Sequence, residues 1–169
     1  NQGKAADEKV AIEKVNTVSA DTVKKKAVST IDTVDYNKRM IALSNDTTGR
    51  WPVKTPYPLP GAILPYNRII AFYGNLYSTR MGVLGEYPRA VMIEKLKGEV
   101  AKWNAADPTV QAIPAFHYIA VTAQGAPGKD NMHRMRMPFK QIDTVLKWAK
   151  PIDALVFLDI QVGHSTIKK

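Results

Sequence analysis

The chain has 169 residues, is 45% apolar, and carries 24 Lys and Arg against 15 Asp and Glu, a formal charge of +9. Without cysteine it can hold neither a disulfide framework nor a thiolate metal site. No stretch reaches the roughly 20 consecutive apolar residues of a membrane-spanning helix. No dense Lys/Arg run alternates with aromatics as single-strand binders require, so the positive charge is read as a surface property and a nucleic-acid partner is not indicated.

Residues 1–48 are rich in Lys, Thr, Asp, Ala and Val, with few large hydrophobic side chains. Such a segment buries too little apolar surface to offset its chain entropy, and it is predicted to be a flexible polar tether with a frayed helix near Glu8–Val18. Residues 49–67 form a second region. Trp51 to Pro65 hold five prolines in fifteen positions, which predicts an extended arm whose Trp51, Tyr57, Leu59, Ile63 and Leu64 pack along or under the folded part.

From residue 68 to 169 the pattern changes to strand, helix, strand, helix, strand. Ile69–Tyr73, Ile113–Ala123 and Ala154–Ile160 are near-continuous apolar runs, as parallel strands buried on both faces require. Pro88 opens the first helix, whose Met92, Leu96, Val100 and Trp103 share one face. Pro138 opens the second, with an apolar stripe of Ile142, Val145, Leu146 and Ala149, and Pro151 closes it. Residues 125–137 are predicted to be a long loop. The class is α/β, a βαβαβ unit with right-handed crossovers. A (β/α)8 barrel takes about 250 residues, so the unit is expected to be the first three strands of an incomplete TIM-like barrel. Its two open edges then call for a protein partner or a further part of the same chain.

In such barrels chemistry gathers at the C-terminal ends of the strands. Tyr73 and Asn75 lie at the end of the first strand, His117 lies within the second, and Asp159, Gln161 and His164 lie within and after the third. Asp159 is the sharpest of these, because a carboxylate inside an apolar run is costly unless partnered. It is read as an acid/base or nucleophile candidate, with a structural carboxylate as the alternative. Glu86 is the candidate second carboxylate of a glycosidase-like pair, with a helix-dipole role as the alternative. His117, Gln161, Asn75, Tyr73 and His164 are the candidate ligand-binding residues. No phosphate-loop, zincin, nucleophile-elbow or EF-hand spacing occurs, so no cofactor and no metal is expected.

Three blocks carry a resemblance: Ile70–Asn75 with Met81–Pro88, His117–Gln124, and Val156–Gly163. Over about residues 66–167 the chain resembles a family of bacterial secreted and surface proteins with a TIM-barrel, glycosidase-like fold. That resemblance, which does not reach residues 1–48, implies a bacterial extracytoplasmic location at the cell surface; the polar N-terminal stretch by its own layout reads as a lipoprotein-like tether. It also implies a strand-end cleft for a glycan or similar polyhydroxylated ligand. The alternative is a non-catalytic structural or accessory subunit of a cell-envelope complex, which the unpaired strand edges favour.

Overall fold

A computed structural model describes residues 30–45, 56–128 and 131–164. The expected helix near Glu8–Val18 and the packing of Trp51 lie outside the described residues.

Three strands, β1 (Asn67–Gly74), β2 (Gln111–Ala123) and β4 (Leu155–Ile160), form a parallel sheet with β2 at its centre. The βαβαβ unit is therefore present, and its sheet is open rather than closed into a barrel. Two elements join it that the sequence pattern did not announce. A short helix, α2 (Val83–Glu86), precedes α3 (Arg89–Ala106). A three-residue strand, β3 (Arg134–Arg136), sits inside the expected 125–137 loop and pairs antiparallel with Val121–Ala123. Both β3 and β4 pair with Val121, so they approach β2 from opposite edges, and β3 occupies the lane beyond the end of β1.

Helices α3 and α4 (Phe139–Ala149) pack on the same face of the sheet. Met92 and Leu96 of α3 and Val145 and Ala149 of α4 meet Phe116, Tyr118 and Ala120 of β2 in one core, with Ile70, Phe72 and Val156 at its margins. The expected prolines stand at the helix starts, Pro88 before α3 and Pro138 before α4. Each reads as the residue that supplies a fixed φ and needs no helical N–H. Asn104 joins the end of α3 to the start of β2: its Oδ1 accepts the Ala112 N–H at 2.6 Å. Tyr118 is fully buried, and its hydroxyl donates to Gln141 Oε1 at 2.6 Å.

The predicted tether contains a helix, α1 (Thr33–Leu43). It starts at Asp32, whose side chain accepts from the N–H groups of Val34 and Asp35, and an Asp35–Arg39 pair at 2.8 Å spans its first turns. It buries no residue of its own. Instead it is tied to the proline-rich arm. Tyr36 and Tyr57 stack edge to face at 5.4 Å, Asn37 Nδ2 donates to Tyr57 at 3.0 Å, and Arg39 lies 5.2 Å over Tyr66. A 510 Å³ cavity lined by Asp35, Arg39, Pro65, Arg68, Asp107 and Thr109 places α1 and the arm at the N-terminal ends of β1 and β2. Arg68 locks this end by pairing with Asp107 at 2.9 Å while stacking 4.9 Å over Trp103.

Candidate functional site

Among the described residues one face of the sheet carries no helix, and the side chains on this helix-free face follow from the two-residue period of a strand. With Phe116 and Tyr118 turned toward the helices, His117 turns the other way. Its register neighbours, Tyr73 on β1 and Phe157 on β4, flank it. The three rings form a row, with Tyr73 to His117 at 5.1 Å and His117 to Phe157 at 6.1 Å. One residue pair further up β4 come Asp159 and then Gln161, on the same face as Phe157.

Asp159, Gln161 and Tyr73 form one hydrogen-bonded group. The Tyr73 hydroxyl donates to Asp159 Oδ2 at 3.3 Å. Gln161 Nε2 donates to Tyr73 Oη at 2.9 Å and lies 3.3 Å from Asp159 Oδ2. Gln161 Oε1 in turn accepts from the Ala123 N–H at 3.0 Å and from Thr122 Oγ1 at 3.3 Å. Thr122 reaches Gln161 because the β2–β4 register shifts between Ile119 and Val121. The extra residue, Ala120, reverses the alternation of β2 at that point. Partial burial, then the charge of Asp159 and the hydrogen bond to it, raises the Tyr73 pKa, so the phenol is held as a donor.

Four of the seven sequence-predicted residues therefore meet: Asp159, Gln161, Tyr73 and His117. The other three lie elsewhere. Glu86 ends α2 and lines a 460 Å³ cavity with Phe72, Lys95 and Lys102, on the helix side of the sheet. The sheet thus separates it from Asp159, and Glu86 instead raises the pKa of the Tyr87 phenol beside it by hydrogen bonding and charge. Asn75 is buried, and its Oδ1 accepts the N–H groups of Tyr77 and Ser78, both at 3.0 Å. That turn rests directly on α2: a Cβ at Gly85 would collide with the Asn75 carbonyl oxygen, so only glycine fits there. His164 follows β4 and stacks edge to face on His133 at 5.2 Å, and His133 Nδ1 lies 2.9 Å from the Gly125 carbonyl oxygen.

Two members of the group escaped the sequence reading as site residues. Phe157 was available from the period-two spacing to Asp159. Thr122 stands out in the sequence as a polar residue near the end of the second strand, but its face, and so its contact with Gln161, depends on the register shift. Chemically the group presents one carboxylate, one amide and one phenol beside an aromatic row, which is the equipment of hydrogen-bonded recognition rather than of paired acid/base chemistry. Among the described residues, surface cavities of 320, 460 and 510 Å³ open elsewhere, and Tyr73, His117, Asp159 and Gln161 line none of these. Among the described residues no cluster of three or more His, Asp or Glu could hold a metal ion, and no helix is long and apolar enough to cross a membrane.

Among the described residues one group of exposed apolar side chains lies at the β4 edge. Phe157, Leu158 and Ile160 are 42%, 49% and 53% exposed, and on α4 Phe139 and Leu146 are 85% and 50% exposed. Leu146 was expected in the buried stripe. Trp148, on one side of α4, meets Arg89 at the start of α3 at 5.8 Å. Helical geometry puts Phe139 and Leu146, seven residues apart, on the opposite side, which flanks the outer edge of β4.

No family model matches the chain, and neither a curated protein nor a solved structure matches it.

Proposed function

We propose that this chain is a non-catalytic structural or accessory subunit of a cell-envelope assembly. In this reading its open parallel sheet is completed along β4 by further polypeptide. One observation carries it: Leu158 and Ile160 of β4 and Phe139 and Leu146 of α4 are exposed on the helix-covered side of the sheet edge, and Phe157 is exposed on its other face. Exposed apolar side chains beside a strand that has no further partner among the described residues mark an interaction site. The envelope setting rests on the resemblance of the three sequence blocks to bacterial secreted and surface proteins, with the N-terminal stretch as a surface tether.

The test is dye binding by the isolated chain at sub-micromolar concentration. The subunit reading expects bis-ANS to bind, and expects Leu158→Lys with Ile160→Lys to abolish most of that binding while the circular dichroism spectrum stays unchanged. Dye binding that is absent, or indifferent to both substitutions, would remove the flank from any docking role.

A second reading rests on a separate observation, the hydrogen-bonded group of Tyr73, Asp159 and Gln161 beside the aromatic row. There the helix-free face takes a glycan or a similar polyhydroxylated ligand, with Asp159 and Gln161 accepting and donating hydrogen bonds. Calorimetric titration with soluble glycans tests it, and heat changes that persist in Asp159→Asn would exclude this group as the binding site.

A further inference from the structure

We infer that the uncovered flank docks a second copy of this chain, through antiparallel pairing of the two β4 strands about a two-fold axis at Leu158. The inference rests on the subunit reading above and names the polypeptide that completes the edge.

The alternation of backbone groups along β4 sets which of them face outward. Gln161 donates its N–H inward to the Val121 carbonyl at 3.0 Å. With a two-residue period, Asp159 and Phe157 also turn their backbone groups toward β2, and Val156, Leu158 and Ile160 turn theirs outward. An antiparallel copy centred on Leu158 sets Leu158 against its own counterpart and Val156 against Ile160 of the second copy. All of these are hydrogen-bonded positions, so each outward N–H and C=O in the row gains a partner.

Side-chain chemistry agrees with this register. A two-fold axis normal to the sheet keeps the helix-covered faces on one side. Val156, Leu158 and Ile160 then join their counterparts in a single apolar row, and the Phe139–Leu146 flanks of the two α4 helices approach each other above it. On the other face Phe157 lies opposite Asp159 of the second copy. Asp159 is the one charged residue in β4, and it is already engaged by Tyr73 and Gln161. It stands opposite Phe157 rather than itself, so the two carboxylates meet only as diagonal neighbours about 7–8 Å apart. β4 carries no Lys, no Pro and no bulge, its register irregularity falling in β2, and its one charge is turned to Tyr73 and Gln161. A closed isologous pair is also the commonest symmetry of soluble oligomers.

A six-residue strand and one helix flank make a small interface, near or below about 1,200 Å². The dimer is therefore concentration-dependent. With +9 on each copy, screening by salt strengthens it.

The absence of cysteine allows a clean test. Hydrogen-bonded antiparallel partners have Cα atoms about 5.5 Å apart, inside the disulfide range. Under mild oxidation Leu158→Cys is expected to give a covalent dimer of twice 18.7 kDa at least tenfold faster than Tyr77→Cys, an exposed control. In sedimentation velocity the unmodified chain is expected to pass from monomer to dimer with concentration, at lower concentration in high salt. Leu158→Lys is expected to stay monomeric with an unchanged circular dichroism spectrum. A chain that stays monomeric up to about 1 mM overturns the inference, as does equal crosslinking by Tyr77→Cys or undiminished association of Leu158→Lys. A monomeric chain that still binds dye through Leu158 and Ile160 would leave the subunit reading standing with a different partner.

Discussion

Strand β2 keeps Ala115, Phe116, Tyr118 and Ile119 out of solvent, whereas β4 leaves Phe157, Leu158 and Ile160 in it, although both strands are near-continuous apolar runs. Their difference is one of neighbours. β2 has β1 on one side and β4 on the other, with α3 and α4 over one face. Among the described residues β4 pairs with β2 alone, and the far flank of α4 carries Phe139 and Leu146 into solvent beside it. An apolar run therefore reports the environment a strand is built for, and the proposed subunit role would supply the part that β4 lacks among the described residues.

Substitution should break the two strands unequally. Phe116→Ala opens a cavity in the shared core and is expected to cost about 3–5 kcal/mol, against about 1 kcal/mol or less for Phe157→Ala in the dilute chain. Urea unfolding of both variants checks the ratio, and equal losses would mean that β4 is as enclosed as β2. The same contrast divides α4. Val145→Ala, at a fully buried position, should cost about 2 kcal/mol, while Leu146→Ala should stay within about 0.5 kcal/mol.

A pH experiment sharpens the picture of the covered face. Burial pushes the Tyr118 pKa up to about 12 from the ordinary 10.0. Its folded value exceeds its unfolded one, so its contribution to stability is complete below pH 10 and is lost as pH rises toward 12. Tyr118→Phe gives up the hydrogen bond to Gln141, about 1 kcal/mol at neutral pH. It is also expected to flatten the alkaline loss of stability. An unchanged alkaline limb would assign that loss to other groups. The smallest effect is expected on the helix-free face. Asp159→Asn should alter stability by no more than about 0.5 kcal/mol and should lower the Tyr73 pKa by removing the neighbouring charge, as ultraviolet titration would record.

Much of this contrast was legible in the residues. The three parallel strands declared themselves as apolar runs, and Pro88 and Pro138 marked the starts of α3 and α4 because proline suits the first helical turn. Asp159 and Gln161 were marked by their place at the end of one strand, and alternation along it adds Phe157 to their face. What stayed hidden depended on distant partners. Strand β3 is three residues, Arg134-Met135-Arg136, with no pattern of its own, and it exists through pairing with Val121–Ala123. Helix α1 needs the Asp32 cap and the contacts of Tyr36, Asn37 and Arg39 with the arm, more than any apolar stripe. Glu86 looked like a partner for Asp159 because both lie near strand ends, yet local pattern does not say on which side of a sheet a loop residue falls. The Tyr73–Asp159 contact joins residues 86 positions apart through a register that no single strand encodes.

The most direct test of an edge built for another chain is amide hydrogen exchange resolved to single residues. In the dilute chain, Val156, Leu158 and Ile160 are expected to exchange near the rate of unprotected amides, while Phe116 and Tyr118 remain protected. At high concentration, the three β4 amides are expected to slow. Protection of Val156, Leu158 and Ile160 equal to that of β2 in the dilute chain would contradict the account, because the edge would already be covered from within.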